Sequence, residues 1–247
     1  MSAEFMTYLV LGAMAGGFIN GMAGTGTALF ALGFYLVVLE PQTAVAIVAL
    51  MSTLVGLQGL WVVRAEIASN ATTLPRFILP GLLGVPLGVA LLALIDAGTL
   101  RLGIAVFLII YGSYFSFRAA LPAFERPTPW IDPLVGLTGG VLGGAAGVSG
   151  AVPAMWLSLR PWPKAKTRAV LQPFNVALLI TTVVLLAFKG AFDATALRAL
   201  AITVPVGLIA AQVGIAVFKR LSNDMFRRAL IGLTLLMGLG ILASEIF

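Results

Sequence analysis

The chain has 247 residues, 60% of them hydrophobic and only 10% charged, with no cysteine and no histidine. A soluble domain carries about 25% charged residues, so this composition excludes one and points to a polypeptide lying mostly in a bilayer. The missing thiols and imidazoles exclude disulfides, thiol redox chemistry, haem ligation and ordinary zinc or copper sites, and no cofactor is expected.

The first element in chain order is an uncharged apolar run over residues 5–39. Glu4 precedes it and no Lys or Arg does, so it lacks the basic start of a signal peptide. Its middle, GGFINGMAGTGTALF (residues 16–30), is rich in glycine and carries Asn20, Thr25 and Thr27. In lipid every backbone N–H and C=O needs a partner, and glycine weakens a helix. A straight helix over residues 8–38 would be about 46 Å long against a hydrocarbon core of about 30 Å. The run is therefore either broken and threaded through once, or folded back as a hairpin. Three plain spans follow at 41–63, 73–95 and 99–118. A second glycine-rich run at 131–160 contains GGVLGGAAGVSGAVP (139–153), and three more spans occupy 167–189, 196–218 and 224–246.

The two halves, 1–120 and 121–247, repeat one plan. Gly16, Gly17, Gly21 and Gly24 recur as Gly139, Gly140, Gly144 and Gly147 at an offset of 123; Gly88, Arg101 and Gly112 recur as Gly214, Arg227 and Gly238 at an offset of 126. Basic residues choose between the two threadings, because Lys and Arg collect on the cytoplasmic side. A single crossing by each long run splits them 6 against 9. Hairpins that return to their own side split them 12 against 3, with net charges of +8 and −2. The hairpin arrangement is the sharper one and sets both termini on the periplasmic side. It also explains the overall charge of +6 without nucleic acid. Each half is then a glycine-broken, re-entrant hairpin plus three transmembrane helices. Three is odd, so the second half is inverted in the membrane. This all-α inverted repeat is an architecture of secondary transporters, whose sites lie near the midplane at interrupted helices of both halves.

At the hairpin tips, half-helix N-termini supply free amides and about half a positive charge, which suits an anion. The candidate substrate-binding residues are Asn20, Gly24, Thr25, Gly26 and Thr27 in the first half and Gly147, Ser149 and Gly150 in the second. Gln172 and Asn175 share one face of a later span, beside Pro173, and face either a cavity or another helix; Ser52, Thr53 and Gln58 occupy the equivalent first-half span. Glycines in the helical arms, as in Gly17-xxx-Gly21 and Gly140-xxx-Gly144, read as packing surfaces. The basic run Arg160–Arg168 reads chiefly as a topology determinant, with a lesser role in gathering anions at the entrance. No Asp or Glu falls deep in a span, so an intramembrane carboxylate relay is absent.

The motif GGVLGGAAGVSGAVPAMWL (139–157), the Pro-x-x-Ala stretch at Pro41–Ala44 and the small-xxx-small pair Gly84/Gly88 resemble the TauE/SafE family of sulfite or organosulfonate exporters, over nearly the whole chain. The sequence departs from that pattern at Phe30, where the second half has Pro153, at Gly24-Thr25-Gly26-Thr27, and at Ile47-Val48. The resemblance implies a bacterial inner-membrane exporter of small sulfur-containing anions such as sulfite or sulfoacetate, bound at the midplane between the tips. A passive anion channel, or an importer of a related anion, is the alternative. Lipid and the small anion are the expected partners, and a homodimer is compatible with the sequence. An intramembrane serine protease built on Ser149 has no histidine to act as base, and no enzyme activity is expected.

Overall fold

The computed structural model describes residues 3–91, 97–116, 124–126, 128–146 and 148–246. Every regular element among them is a helix: α1 (Ala3–Ala23), α2 (Thr27–Tyr35), α3 (Pro41–Val62), α4 (Arg64–Ser69), α5 (Leu74–Leu91), α6 (Ala97–Ser116), α7 (Ile131–Ala146), α8 (Ala151–Ser158), α9 (Lys164–Phe188), α10 (Ala194–Arg220) and α11 (Asn223–Ile246). Five of these, in α1, α3, α9, α10 and α11, are long and apolar enough to cross a bilayer, as a polytopic membrane protein requires. Leu79 and Leu83 on α5, Ile209 on α10 and Ile110 on α6 are each more than 60% exposed. Such large apolar side chains on the outer surface suit a protein solvated by lipid, while Tyr35, Phe77, Phe174 and Phe226 are buried inside.

Both glycine-rich runs are helix–break–helix units. After Ala23 the chain turns through Gly24 (φ 81°) and Gly26 (φ 95°), left-handed conformations that only glycine adopts without strain. Helix α2 then runs back along α1: a Cβ added at Gly16 would meet Thr27 and Ala31, and one at Gly12 would meet Ala31 and the Tyr35 ring. In the second unit α8 returns along α7, with Gly143 against Ser149 and Gly139 against Ser149 and Pro153. The arms are unequal, which the uniform apolar run 5–39 does not disclose. Helix α1 has 21 residues, about 31 Å, whereas α2 has nine, about 13 Å.

Each unit packs on a helix of the other half. Helix α1 lies against α10 and α7 against α5, while α3 pairs with α9 and α6 with α11. The closest approaches are made at glycines. A Cβ at Gly17 would sit 2.8 Å from Gly207 Cα, and one at Gly140 would sit 2.9 Å from Gly81 Cα. Likewise Gly112 abuts Leu235 and Gly238 abuts Ile109. The offsets of 123 and 126 map each member of these pairs onto its counterpart.

Contacts of backbone against backbone cannot yield to a new side chain. Gly17→Val is expected to lose about 1–3 kcal/mol by overpacking, read as a lower unfolding midpoint in detergent. Gly33, in α2, has nothing within 4 Å of an added Cβ, so Gly33→Ala is expected to leave the midpoint unchanged or higher.

Candidate functional site

The two breaks meet. Thr25 of the first tip lies directly against Gly150 of the second, where an added Cβ would fall on the threonine hydroxyl and 2.9 Å from Asn175 Nδ2. Around that contact is one small cavity of about 20 Å³, lined by Asn20, Thr25, Gly26, Thr27, Ala28, Ser52, Val148, Ser149, Gly150, Asn175 and Leu179. Each of its polar side chains is buried, none more than 4% exposed.

Hydrogen bonds hold the tips in place. Asn20, in the last turn of α1, donates from Nδ2 to Thr27 Oγ1 (2.8 Å), the first residue of α2, and so ties the arms across the break. Asn175 joins the halves: its Oδ1 accepts from Ser149 Oγ (2.8 Å) and its Nδ2 donates to Gly24 O (3.0 Å). Helices α2 and α8 begin at glycine N-caps, Gly26 and Gly150, with no side-chain cap. The first turn of α2 carries no side-chain cap, while in α8 the Ala151 amide bonds Val148 O (3.4 Å) and Pro153 has no N–H, so Val152 offers the open amide there. Both helix starts still present the positive end of the helix dipole. Among the described residues no group of three or more acidic side chains could hold a metal ion.

Of the residues singled out from sequence, Asn20, Thr25, Gly26, Thr27, Ser149, Gly150 and Asn175 line this cavity. Gly24 offers its carbonyl to Asn175. Gln172 stands one shell behind, donating from Nε2 to Asn20 Oδ1 (3.3 Å) and Gly56 O (3.2 Å). Gly147 lies outside the described residues. Ser52 lines the cavity, but Thr53 bonds its own helix at Ala49 O, and Gln58 pairs across helices with Gln212 (2.7 Å).

The basic side chains of the run Arg160–Arg168 are engaged by the fold and do not hang free in a loop. Arg160 is a buried clamp that pairs with Asp132 (3.4 Å). Lys164 Nζ donates to the carbonyls of Phe218 and Lys219 at the end of α10 (2.8 and 3.0 Å), and Lys166 sits 4.5 Å from the Trp162 ring centre. Arg168 is inside α9 and fully buried, with Nε donating to Gln172 Oε1 (3.2 Å). A signal for it was present: Arg168, Gln172, Asn175, Leu179 and Thr182 follow helical spacing along one face, the face that carries the Asn175 contact.

The family model described as "Sulfite exporter TauE/SafE" matches residues 8–241. No curated protein and no solved structure matches the chain.

Proposed function

This chain belongs to the sulfite exporter TauE/SafE family, and from that premise we propose that it is a secondary transporter carrying small sulfur-containing anions, such as sulfite or sulfoacetate, outward across the bacterial inner membrane. The observation that carries this reading is the pair of uncapped helix starts, at Gly26 and Gly150, converging with Thr25, Thr27, Ser149 and Asn175 on one buried cavity. Such a constellation offers N–H and O–H donors and positive potential, and it carries no carboxylate to repel an anion.

The inverted repeat is supported by the exchanged contacts Gly17–Gly207 and Gly140–Gly81, and by Gly112–Leu235 and Gly238–Ile109. The re-entrant reading is supported by length. Helices α2 and α8 have nine and eight residues, about 13 and 12 Å, too short to cross a core of about 30 Å. Helix α1, at 21 residues, is long enough to cross it, so a first tip at mid-depth requires α1 to begin outside the core. The split of 12 against 3 basic residues then supports periplasmic termini.

A carrier is favoured over a passive channel by the closure of the site. A cavity of about 20 Å³ has room for about one water-sized centre, less than an oxyanion needs. Loading therefore requires the tips to part, and the Asn175–Gly24 bond is one that must open. Export needs no coupling ion, because an inside-negative potential favours anion exit by about 2.3 kcal/mol per charge per 100 mV. Ser149 has no base beside it; its hydroxyl bonds an amide oxygen, which supports binding rather than catalysis.

The test is flux of labelled sulfite, sulfoacetate and sulfate in proteoliposomes, with voltage and pH gradient set independently. Saturable, voltage-driven flux of one of them, reduced by about tenfold or more in Ser149→Ala or Asn175→Ala, is the expected result. Linear, unsaturable flux would favour the channel, and no flux of any of them removes the substrate assignment.

A further inference from the structure

The strongest unexplained feature outside the cavity is the guanidinium of Arg168. The residue is fully buried. Its Nε bonds Gln172, its Nη1 makes one long bond to Met22 O (3.4 Å), its plane lies 4.5 Å from the Phe218 ring centre, and its Nη2 has no hydrogen-bond partner. Among the described residues no carboxylate pairs with it. Arginine brings five N–H donors and a permanent charge, and burying them with so few acceptors is unfavourable unless something else supplies negative charge. Gly59 lies beside the free nitrogen, and a Cβ added there would come within 2.9 Å of Nη2.

Arg168 is also connected to the cavity. From Gln172 the hydrogen bonds run to Asn20 and on to Thr27, and both of these line the cavity. On the proposed topology the N-terminal end of α9 is the cytoplasmic end, and Arg168 is its fifth residue. Basic residues of the neighbouring turns are otherwise engaged: Arg160 with Asp132, and Lys164 with the carbonyls that end α10.

We propose that Arg168 is a second anion-binding station, on the cytoplasmic side of the first tip, that takes a sulfur oxyanion or sulfonate from the cytoplasm and hands it to the cavity between the tips. This rests on the transport reading above. The free Nη2, together with Nη1 when its long bond to Met22 yields, presents the planar fork that matches two oxygens of one oxyanion. A spherical anion such as chloride satisfies only part of that fork, so the station selects for oxyanions. Transfer then needs only rotation of Gln172 and Asn20, whose amides already link the two places.

The test compares wild type with Arg168→Gln and Arg168→Lys in membrane vesicles of both orientations, measuring KM for sulfite from each face. Arg168→Gln is expected to raise the cytoplasmic-side KM by about tenfold to a hundredfold, the loss of one charge-assisted hydrogen bond. The outer-side KM is expected to stay within about threefold, with Arg168→Lys intermediate. Equal shifts on both faces, or none, would overturn the station and leave Arg168 a structural group. If Arg168→Gln does not fold, Arg168→Lys carries the same comparison with the charge retained. If wild type moves none of the anions tested, the transport reading fails separately, and binding alone decides the station. Sulfite or sulfate must then raise the unfolding midpoint of wild type by more than that of Arg168→Lys; equal shifts, or no shift in wild type, overturn it.

Discussion

Gly150→Val is expected to reduce flux by about a hundredfold or more while the helices still form. Gly150 has φ −85°, a conformation open to any residue, so the substitution acts through space and not through backbone strain. The space is already taken: a Cβ there overlaps the Thr25 hydroxyl, lies 2.8 Å from Thr25 Cβ and reaches 2.9 Å from Asn175 Nδ2. The valine must push the first tip away from the second and break the Asn175 bridge between Ser149 and Gly24. Displacing a binding constellation by about 1 Å costs on the order of a hundredfold in rate. Pairing the change with Thr25→Gly restores the volume, so the double variant is expected to recover part of the lost flux, a non-additivity diagnostic of direct contact. Equal flux in wild type and Gly150→Val would mean that the two tips do not act on one anion.

Asp132→Ala is expected to be the most destabilising single substitution of a charged residue. Asp132 opens α7 and Arg160 follows α8, so the pair closes the base of the second helix–break–helix unit. The side chains are only 6% and 3% exposed. Around them Arg160 also donates to Arg126 O (2.6 Å), Phe124 O (3.2 Å) and the Thr128 hydroxyl, while Asp132 accepts from Thr128 (2.9 Å) and Trp156 Nε1 (3.0 Å). Removing the carboxylate leaves a buried cation and two orphaned donors, a loss of about 3–5 kcal/mol. At about 2–4 °C per kcal/mol for a chain of this size, the unfolding midpoint should fall by roughly 6–20 °C. Asp132→Ala combined with Arg160→Met removes the stranded charge and is expected to recover part of that loss, which thermal scans of wild type, Asp132→Ala and the double variant would read directly.

Much of the lining of the candidate site was legible because lipid makes polar residues conspicuous. Asn20, Thr25, Thr27, Ser149 and Asn175 lie in long uncharged runs where each must find a partner, and the structure gathers all five at one cavity. Gly24 and Gly26 were legible as a break for the same reason. Other features were hidden by physics, not by oversight. In lipid the hydrophobic period weakens, because the outer face is as apolar as the inner, so hydropathy does not reveal which face of α3 turns inward. Ser52 faces the cavity, while its neighbour Thr53 bonds its own helix and Gln58 bonds another. Arg168 was masked by its company: four basic residues within nine positions look like a cytoplasmic loop, and only its helical spacing with Gln172 and Asn175 marks it as the one drawn inside.

The exchange of partners between the halves also governs how the molecule is made. The glycine face of α1, at Gly17 and Gly21, is completed only by Gly207 and Ala211 of α10, which leave the ribosome about 190 residues later, or roughly 10–40 s at ordinary synthesis rates. Until then that face of the first helix lacks its partner. The same delay does not apply to α7, whose partner α5 has already been inserted. The order of synthesis is therefore asymmetric even where the finished contacts mirror one another: the second glycine unit follows its partner helix, whereas the first precedes its own by most of the chain and has only α2 and α3 beside it until α10 is made.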